Sequence, residues 1–293
     1  CLEYADKIPV ENVVKVAAAG NSANAAVGAA RLGLKSSLVS WIGNDNAGKH
    51  LKEALAAEKV GLRLVTIDPK HPTSEATNIT FQGERTQLVY FQPRKHVMPK
   101  LPATRCIYYS AMGAKHDAFD RVLKQELKRH PKAFFTFQPG TTHIRQGLEA
   151  LKPFIARSDL FILNKDEAHT ILTDGDRPIC NLLERFGTIG AKNVVITDGA
   201  NGADAWDGRT HWHMPIFDGE AKERTGAGDS FACATTVALL TGQDLPNALR
   251  WGSANSWSVV QQVGPQKGLL TTREMTRVLK KFAKTKPTIH KHS

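Results

Sequence analysis

The segment Thr225-Gly226-Ala227-Gly228-Asp229-Ser230-Phe231 places three small residues before a carboxylate and then runs straight into the apolar stretch Ala232 to Leu240. Small residues let a backbone approach a ligand closely, and the apolar run predicts a helix, so the segment reads as a turn that opens a helix. Unpaired amides at a helix start attract anions, phosphate above all. A carboxylate beside a phosphate is useful when it takes the proton of the attacking hydroxyl. The chemistry suggested is phosphoryl transfer, with Asp229 as base and the amides of Gly226, Ala227 and Gly228 as an anion cradle. Glycines that merely cap a helix, with Asp229 placed for its dipole, would leave the same letters.

Three other stretches have comparable content. Ala19-Gly20-Asn21-Ser22-Ala23-Asn24 is a second small-residue loop, entering the helical pattern Ala25 to Leu32 that stops at Gly33. Asn21 and Asn24 would bring amides to which a polyol can hydrogen-bond; an asparagine N-cap on an Ala-rich helix is the competing reading. Asn164-Lys165-Asp166-Glu167 follows an apolar strand pattern. Asn164 and Glu167, facing one way at a helix start, can hold a hydrated Mg²⁺ directly or through water, or can simply cap the helix. The strand Val194 to Thr197 leaves into Asp198-Gly199-Ala200-Asn201-Gly202, a place for a nucleotide to rest on exposed backbone or a plain hairpin connection. His211 and His213 share one face of a predicted strand. With no cysteine or carboxylate companion evident, they are read as solvent-facing rather than as metal ligands.

The elements that would position these residues alternate. Strand patterns at Ser36 to Ile42, Leu62 to Ile67, Ile107 to Tyr109, Ala133 to Phe137, Leu160 to Leu163 and Val194 to Thr197 are separated by helical patterns. The helices are Ala47 to Glu58, Ala118 to His130 and Ile144 to Ile155. That alternation implies an α/β fold, a mostly parallel sheet with helices on both faces and ligands at the carboxyl ends of its strands. A hairpin is predicted around Asp207-Gly208, and further helices over Leu245 to Gln262 and Thr271 to Ala283. Thr77 to Phe81 and Gln87 to Phe91, joined by Gln82 to Arg85, read as an antiparallel flap that the extended arm Val13 to Val16 joins. Such a flap can close over a site.

The chain has 293 residues, 41% hydrophobic and 23% charged, enough for a sizeable core and far from the composition of disorder. No apolar run is long enough to span a bilayer and no secretory pattern opens the chain, so a cytoplasmic protein is expected. Cys1, Cys106, Cys180 and Cys233 form no close pair and are read as reduced thiols. The net charge of +11 could attract nucleic acid or acidic small molecules. Its basic residues are scattered except in the tail, and no aromatic ladder accompanies them, which sets nucleic acid aside as a partner.

In their order, these motifs resemble the ribokinase-like sugar and nucleoside kinases, also called the phosphofructokinase B family, over nearly the whole chain. The N-terminal signature is matched at Ala19 to Ala26, the Asn-x-x-Glu metal motif at Asn164 to Glu167, the Thr-x-Gly turn at Thr197 to Gly199, and the C-terminal signature at Gly226 to Asp229. The resemblance implies the ribokinase-like fold, with an α/β core over residues 18–73 and 92–286, a β-sheet lid over 1–17 and 74–91, and a basic tail over 287–293. It implies a kinase that uses ATP and Mg²⁺, with Asp229 as base and Gly226, Ala227 and Gly228 as anion hole. Gly20, Asn21 and Asn24 would touch a sugar or nucleoside; Thr197, Gly199, Gly202 and Asn255 would line the nucleotide site, with Ser253 the competing alignment to Asn255. Asn164 and Glu167 would serve Mg²⁺. The family's potassium ion near the C-terminal signature would find oxygens at Glu223, where the usual Asp-Thr is Glu223-Arg224. The lid mediates dimers in some members. The family's first strand, ending in a substrate-binding Asp, has no counterpart before Ala19, since Asp6 falls too near the lid arm; that strand is expected to be missing from the sheet. The alternative function is a catalytically impaired sugar- or nucleotide-binding protein on the same fold.

Overall fold

The computed structural model describes residues 5, 7–81, 84–113, 115–173, 175 and 177–290. Cys1, Asp6, the turn residues Gln82 and Gly83, and the last three residues of the tail lie outside these.

In chain order the first elements are α1 (Asn21–Arg31), β1 (Ser40–Gly43), α2 (Asn46–Ala57), β2 (Val65–Asp68), β3 (Glu75–Phe81) and β4 (Glu84–Tyr90). The alternating half follows: β5 (Cys106–Tyr109), α3 (Asp117–Arg129), β6 (Phe134–Phe137), α4 (Thr141–Gln146), α5 (Leu148–Arg157), β7 (Leu160–Asn164), α6 (Lys165–Leu172), α7 (Ile179–Ile189) and β8 (Val194–Thr197). The chain ends with β9 (Ala203–Trp206), β10 (His211–Met214), α8 (Ala227–Leu240), α9 (Leu245–Val260), α10 (Thr272–Lys281) and β11 (Thr288–Ile289). Strands β5 to β8 are mutually parallel, β9 to β11 continue the sheet antiparallel, and the order is β11-β10-β9-β8-β7-β6-β5.

Side chains alternate across this sheet, as a period of two requires. Tyr109, Phe135, Phe137, Phe161 and Leu163 pack with α3, α5, α6 and α7 on one face. Leu160, Ile162, Val195 and Ala205 pack with α8, α9 and α10 on the other. Helix α8 is buried from Asp229 to Ala238, which is why its sequence is apolar all round rather than striped. Helix α1 lies directly against it. A Cβ at Gly28 would come 2.9 Å from the Cys233 sulfur. The Cys233 thiol donates to the Ala25 carbonyl at 3.2 Å.

Several elements depart from the sequence reading. The helix expected over Ile144 to Ile155 is broken into α4 and α5 at Gly147, whose φ of +77° turns the chain. Helix α7 was not singled out; its Gly187 leaves room for the Trp206 ring. The flap is a two-stranded sheet of β3 and β4 alone, and residues 7–16 form no ladder with it. Strands β1 and β2 pair parallel as a separate sheet, and among the described residues no strand bridges β1 and β5. Trp41 of β1 still packs edge-on to Phe119 and His96, at 5.6 and 4.8 Å between ring centres. The tail is not wholly solvated, because Thr288 and Ile289 pair with β10. No helix among the described residues is long and apolar enough to cross a membrane.

Beside β5, a buried polar chain has its proton directions set by the backbone. The Gly140 amide donates to His143 Nδ1 at 3.2 Å, so Nε2 carries the hydrogen toward the Tyr109 hydroxyl, 2.8 Å away. Tyr109 in turn donates to Asp120. Burial, with the His116 charge, holds His143 down at a pKa of about 3, so it stays neutral in the fold. In the unfolded chain it titrates near 6.5. The unfolded state therefore binds the extra proton below that value, and stability is lost as pH falls from about 6.5 toward 3, by at most about 1.4 kcal/mol per pH unit. Urea unfolding at successive pH values should show that acid loss diminished in His143→Gln. At the helix contact, Gly28→Val should destabilise by roughly 1–3 kcal/mol through overpacking. Combining it with Cys233→Ala should recover part of that loss in the same assay.

Candidate active site

Gly226 caps α8 with φ 80° and ψ 2°, and a Cβ there would meet the Pro265 Cβ at 2.6 Å, so both conformation and space require glycine. The turn delivers Asp229 into the first turn of the helix, 8% exposed. Its carboxylate meets amide donors from two other elements. Asn21 Nδ2 donates to Oδ1 at 2.8 Å and Asn24 Nδ2 donates to Oδ2 at 2.8 Å. Gln138 Nε2, at the end of β6, lies 3.4 Å from Oδ1. The far ends of these amides are also held: Gln266 Nε2 donates to Asn24 Oδ1 at 3.0 Å, and the Tyr108 hydroxyl donates to Gln138 Oε1 at 2.5 Å. Burial pushes the Tyr108 phenol well up, with the Asp229 charge adding to it, so it remains a donor. A carboxylate that only accepts is matched by groups that only donate.

The N-terminal loop thus does something other than cap. Gly20, at φ 102°, is the N-cap of α1 without a side-chain bond, and Asn21 and Asn24 lie inside the helix, one turn apart. The competing reading of Asn21 as an N-cap does not hold. At β7, by contrast, the capping geometry is present: Asn164 Oδ1 accepts from the Glu167 amide at 2.8 Å, and Glu167 Oε2 accepts from the Asn164 amide at 2.9 Å. That leaves Glu167 Oε1 outside the capping pair. Burial raises the Glu167 acid, and the negative charges of Asp229 and Asp166 raise it further. Converging negative charge and a hard oxygen donor suit Mg²⁺.

Asn164 sits opposite Thr197 in the β7–β8 register, which makes the acidic motif and the two-glycine turn neighbours. In that turn the Asp198 amide donates to the Gly202 carbonyl at 2.8 Å. Gly202 is required, since a Cβ would lie 2.2 Å from the Met214 carbonyl, whereas Gly199 borders open space. Lys165 reaches Asp198 at 3.4 Å. Glu223, 5% exposed, accepts from the Gly264 amide at 2.8 Å and from the Thr225 hydroxyl. Ala227's amide closes a turn on the Arg224 carbonyl at 3.3 Å, so Gly228 follows it as the next amide of the helix start.

Asn255 departs from its expected role in the nucleotide site. It is fully buried, donating to the Ser230 carbonyl at 2.8 Å and accepting from the Leu270 amide at 2.9 Å, so its amide ties α9 to α8. Three residues around Asp229 were not assigned from the sequence: Tyr108, Gln138 and Gln266. The only signal was the polar exit Gln138-Pro139-Gly140 from an apolar strand.

With that geometry in place, relatives are informative. The sequence profile described as pfkB family carbohydrate kinase matches residues 2–273. An ATP-dependent 6-phosphofructokinase of Thermoanaerobacterium thermosaccharolyticum is 26% identical over 261 residues, covering 84% of this chain and 79% of its own. A fructoselysine 6-kinase of Escherichia coli is 24% identical over 259 residues, covering 85% and 92%. A structure assigned as a ribokinase II of Escherichia coli, in complex with ATP and Mg²⁺, superposes with a TM-score of 0.78 at 20% identity, covering 95% of this chain and 94% of that one. The fold is ribokinase-like, and the sheet, the helix-capping turn and the carboxylate it presents belong to a chain of the pfkB family of carbohydrate kinases.

Proposed function

We propose that this kinase transfers the γ-phosphoryl group of ATP to a hydroxyl of a sugar or nucleoside, with Asp229 as general base. The observation that carries the reading is the carboxylate of Asp229, held through both oxygens by Asn21 and Asn24 at 2.8 Å each in the first turn of a buried helix. An incoming polyol, bound by Gly20, Asn21 and Asn24, takes over these amides as partners and presents its hydroxyl to the freed oxygen. Asp229 removes the proton as the oxygen attacks phosphorus. The amides of Gly226 and Gly228, joined by that of Ala227 once it leaves the Arg224 carbonyl, stabilise charge on the phosphate oxygens together with the α8 dipole. Thr197, Gly199 and Gly202 line the nucleotide, and Asn255 serves it indirectly by fixing the Ser230 carbonyl. Mg²⁺, when bound, supplies positive charge to the phosphates, and Asn164 and Glu167 are the residues proposed to hold it. Glu223 is the residue proposed to supply oxygen to a monovalent cation such as K⁺. The hairpin β3–β4 is the proposed lid; its exposed Leu88, Val89 and Tyr90 are the apolar groups that closure, or a second copy of the chain, would cover.

Asp229→Asn should lower kcat by on the order of 10²- to 10⁴-fold while leaving ATP affinity nearly unchanged, since the amide cannot take a proton and keeps only one accepting oxygen for Asn21 and Asn24. A coupled assay with a panel of sugars and nucleosides measures it; full turnover in the variant would refute the base. Binding of sugar and nucleotide without turnover in the parent chain would instead mark the alternative, an impaired binding protein. Glu167→Gln keeps the cap, because glutamine serves the same box. It should raise the Mg²⁺ concentration for half-maximal rate by about tenfold or more with no change in thermal stability.

A further inference from the structure

The edge of the sheet farthest from β5 gathers side chains that the sequence reading kept apart. Asp204 of β9 lies directly opposite His213 in the β9–β10 register, and His211 shares their face two residues along. Asp204 Oδ1 receives His211 Nε2 at 3.1 Å and His213 Nδ1 at 3.2 Å. The end of β11 adds a third imidazole. The His290 amide donates to the His211 carbonyl at 2.9 Å, its ring stacks on His211 at 4.9 Å, and it meets His213 edge-on at 5.9 Å. Ligand atoms of Asp204, His213 and His290 all lie within 4.8 Å of one another. His211 is not solvent-facing: it is 5% exposed, as is Asp204.

We propose that Asp204, His213 and His290 form a transition-metal site, with zinc the metal of choice, and that His211 orients the Asp204 carboxylate. Two imidazoles and one carboxylate are a borderline-soft donor set that favours Zn²⁺ over Mg²⁺. Two ligands of one tetrahedral zinc stand about 3.3 Å apart, given bonds of about 2.0–2.1 Å. The 3.2 Å between Asp204 Oδ1 and His213 Nδ1 already matches. Metal binding at Nδ1 requires the neutral His213 tautomer that carries its hydrogen on Nε2. His211 supplies the outer hydrogen bond that metal-binding carboxylates receive. No hydrogen bond to the His290 ring occurs among the described residues, which leaves its nitrogens available as donors.

A second histidine–carboxylate group, His116, Asp120 and His143, serves as a physical control. There the Gly140 amide fixes His143 Nδ1 as acceptor, so Nε2 holds a hydrogen and points it at Tyr109. His143 is thereby closed to a metal by its own hydrogen bonds, whereas the His290 ring at the sheet edge is held by none among the described residues. The location also gives the metal a consequence. Strand β11 is two residues long and exposed, and a bond from His290 to β9 and β10 would clamp the end of the chain to the sheet.

The test is zinc binding to the full-length chain, free of any added histidine tag, by competition with a chromophoric chelator, alongside thermal unfolding with and without Zn²⁺. About one equivalent should bind and raise the melting temperature. Asp204→Asn, His213→Gln and the exposed His290→Ala should each weaken zinc about tenfold or more and abolish the thermal shift. His290 is itself exposed, and its removal leaves the Asp204–His211 and Asp204–His213 hydrogen bonds in place, so its effect does not depend on whether the buried variants fold. Absence of stoichiometric binding overturns the site. So does binding unchanged in Asp204→Asn or His213→Gln, which would place the zinc on the tail histidines His290 and His292 alone.

Discussion

Everything around the site depends on two hydrogen bonds that cross more than two hundred residues of chain, from Asn21 and Asn24 to the two oxygens of Asp229. Each asks that α1 and α8 be set side by side to within a few tenths of an ångström. The sequence meets that demand with small residues. Gly28 and Cys233 let the helices approach, and Ala25 accepts the Cys233 thiol one turn away. The two helix starts consequently face one another, and one carboxylate serves both. A net hydrogen bond to a charged group is worth about 1.5–3 kcal/mol, so the pair also stabilises the helix contact that creates it. Ligand entry would draw on that energy, since the amides must exchange Asp229 for a hydroxyl.

Charge is distributed around this contact with the same economy. The charges of Asp229 and Asp166 add to burial in raising the proton affinity of Glu167, at the carboxyl end of β7. Water screens such repulsion at a surface, but Glu167 is shifted first by its burial. Negative charge concentrated at partly buried positions is costly to the empty fold and favourable to a cation. The helix dipole of α8 and its first amides lie on the other side of Asp229, where an anion is favoured instead. A phosphate with its counter-cation is the kind of ligand that satisfies both halves at once.

How much of this could be read from the letters follows from what each signal encodes. Strands β5 to β8 and helix α8 were legible because burial imposes a period, and the period survives in sequence. Asp229 and the glycine before α8 were legible because conformation at Gly226 admits no other residue. The partners of Asp229 were only half legible. Asn21 and Asn24 were assigned to a ligand, whereas their amides bond Asp229, since nothing local shows that α1 packs against α8. Gln138 and Gln266 carry no periodic signal and are brought in only by tertiary packing. His211 and His213 lacked a carboxylate companion in sequence because Asp204 is a cross-strand neighbour, set by the β9–β10 register, and His290 arrives with a two-residue strand too short for any pattern. The helix break at Gly147 was missed because apolar spacing continues through it.

The two faces of the sheet differ in how completely their polar groups are used, and the difference bears on where function can sit. On the α8 side the buried Asn255, Thr235 and Thr236 are all bonded to backbone. Around the seam between β1 and β5, Trp41 Nε1, His96 Nδ1, Ser110 Oγ and His116 Nε2 are buried without a partner among the described residues. A buried polar atom left unpaired costs about 1–3 kcal/mol, so this seam is the least satisfied part of the core. It is also the place where the described sheet is divided. The Asp229 carboxylate stands on the satisfied side, carried by α8 and held by Asn21 and Asn24 of α1. Its two shortest contacts, from Asn21 and Asn24, do not run through the seam, and the constellation of Asp229, Asn21 and Asn24 is assembled even where the sheet beside it is open.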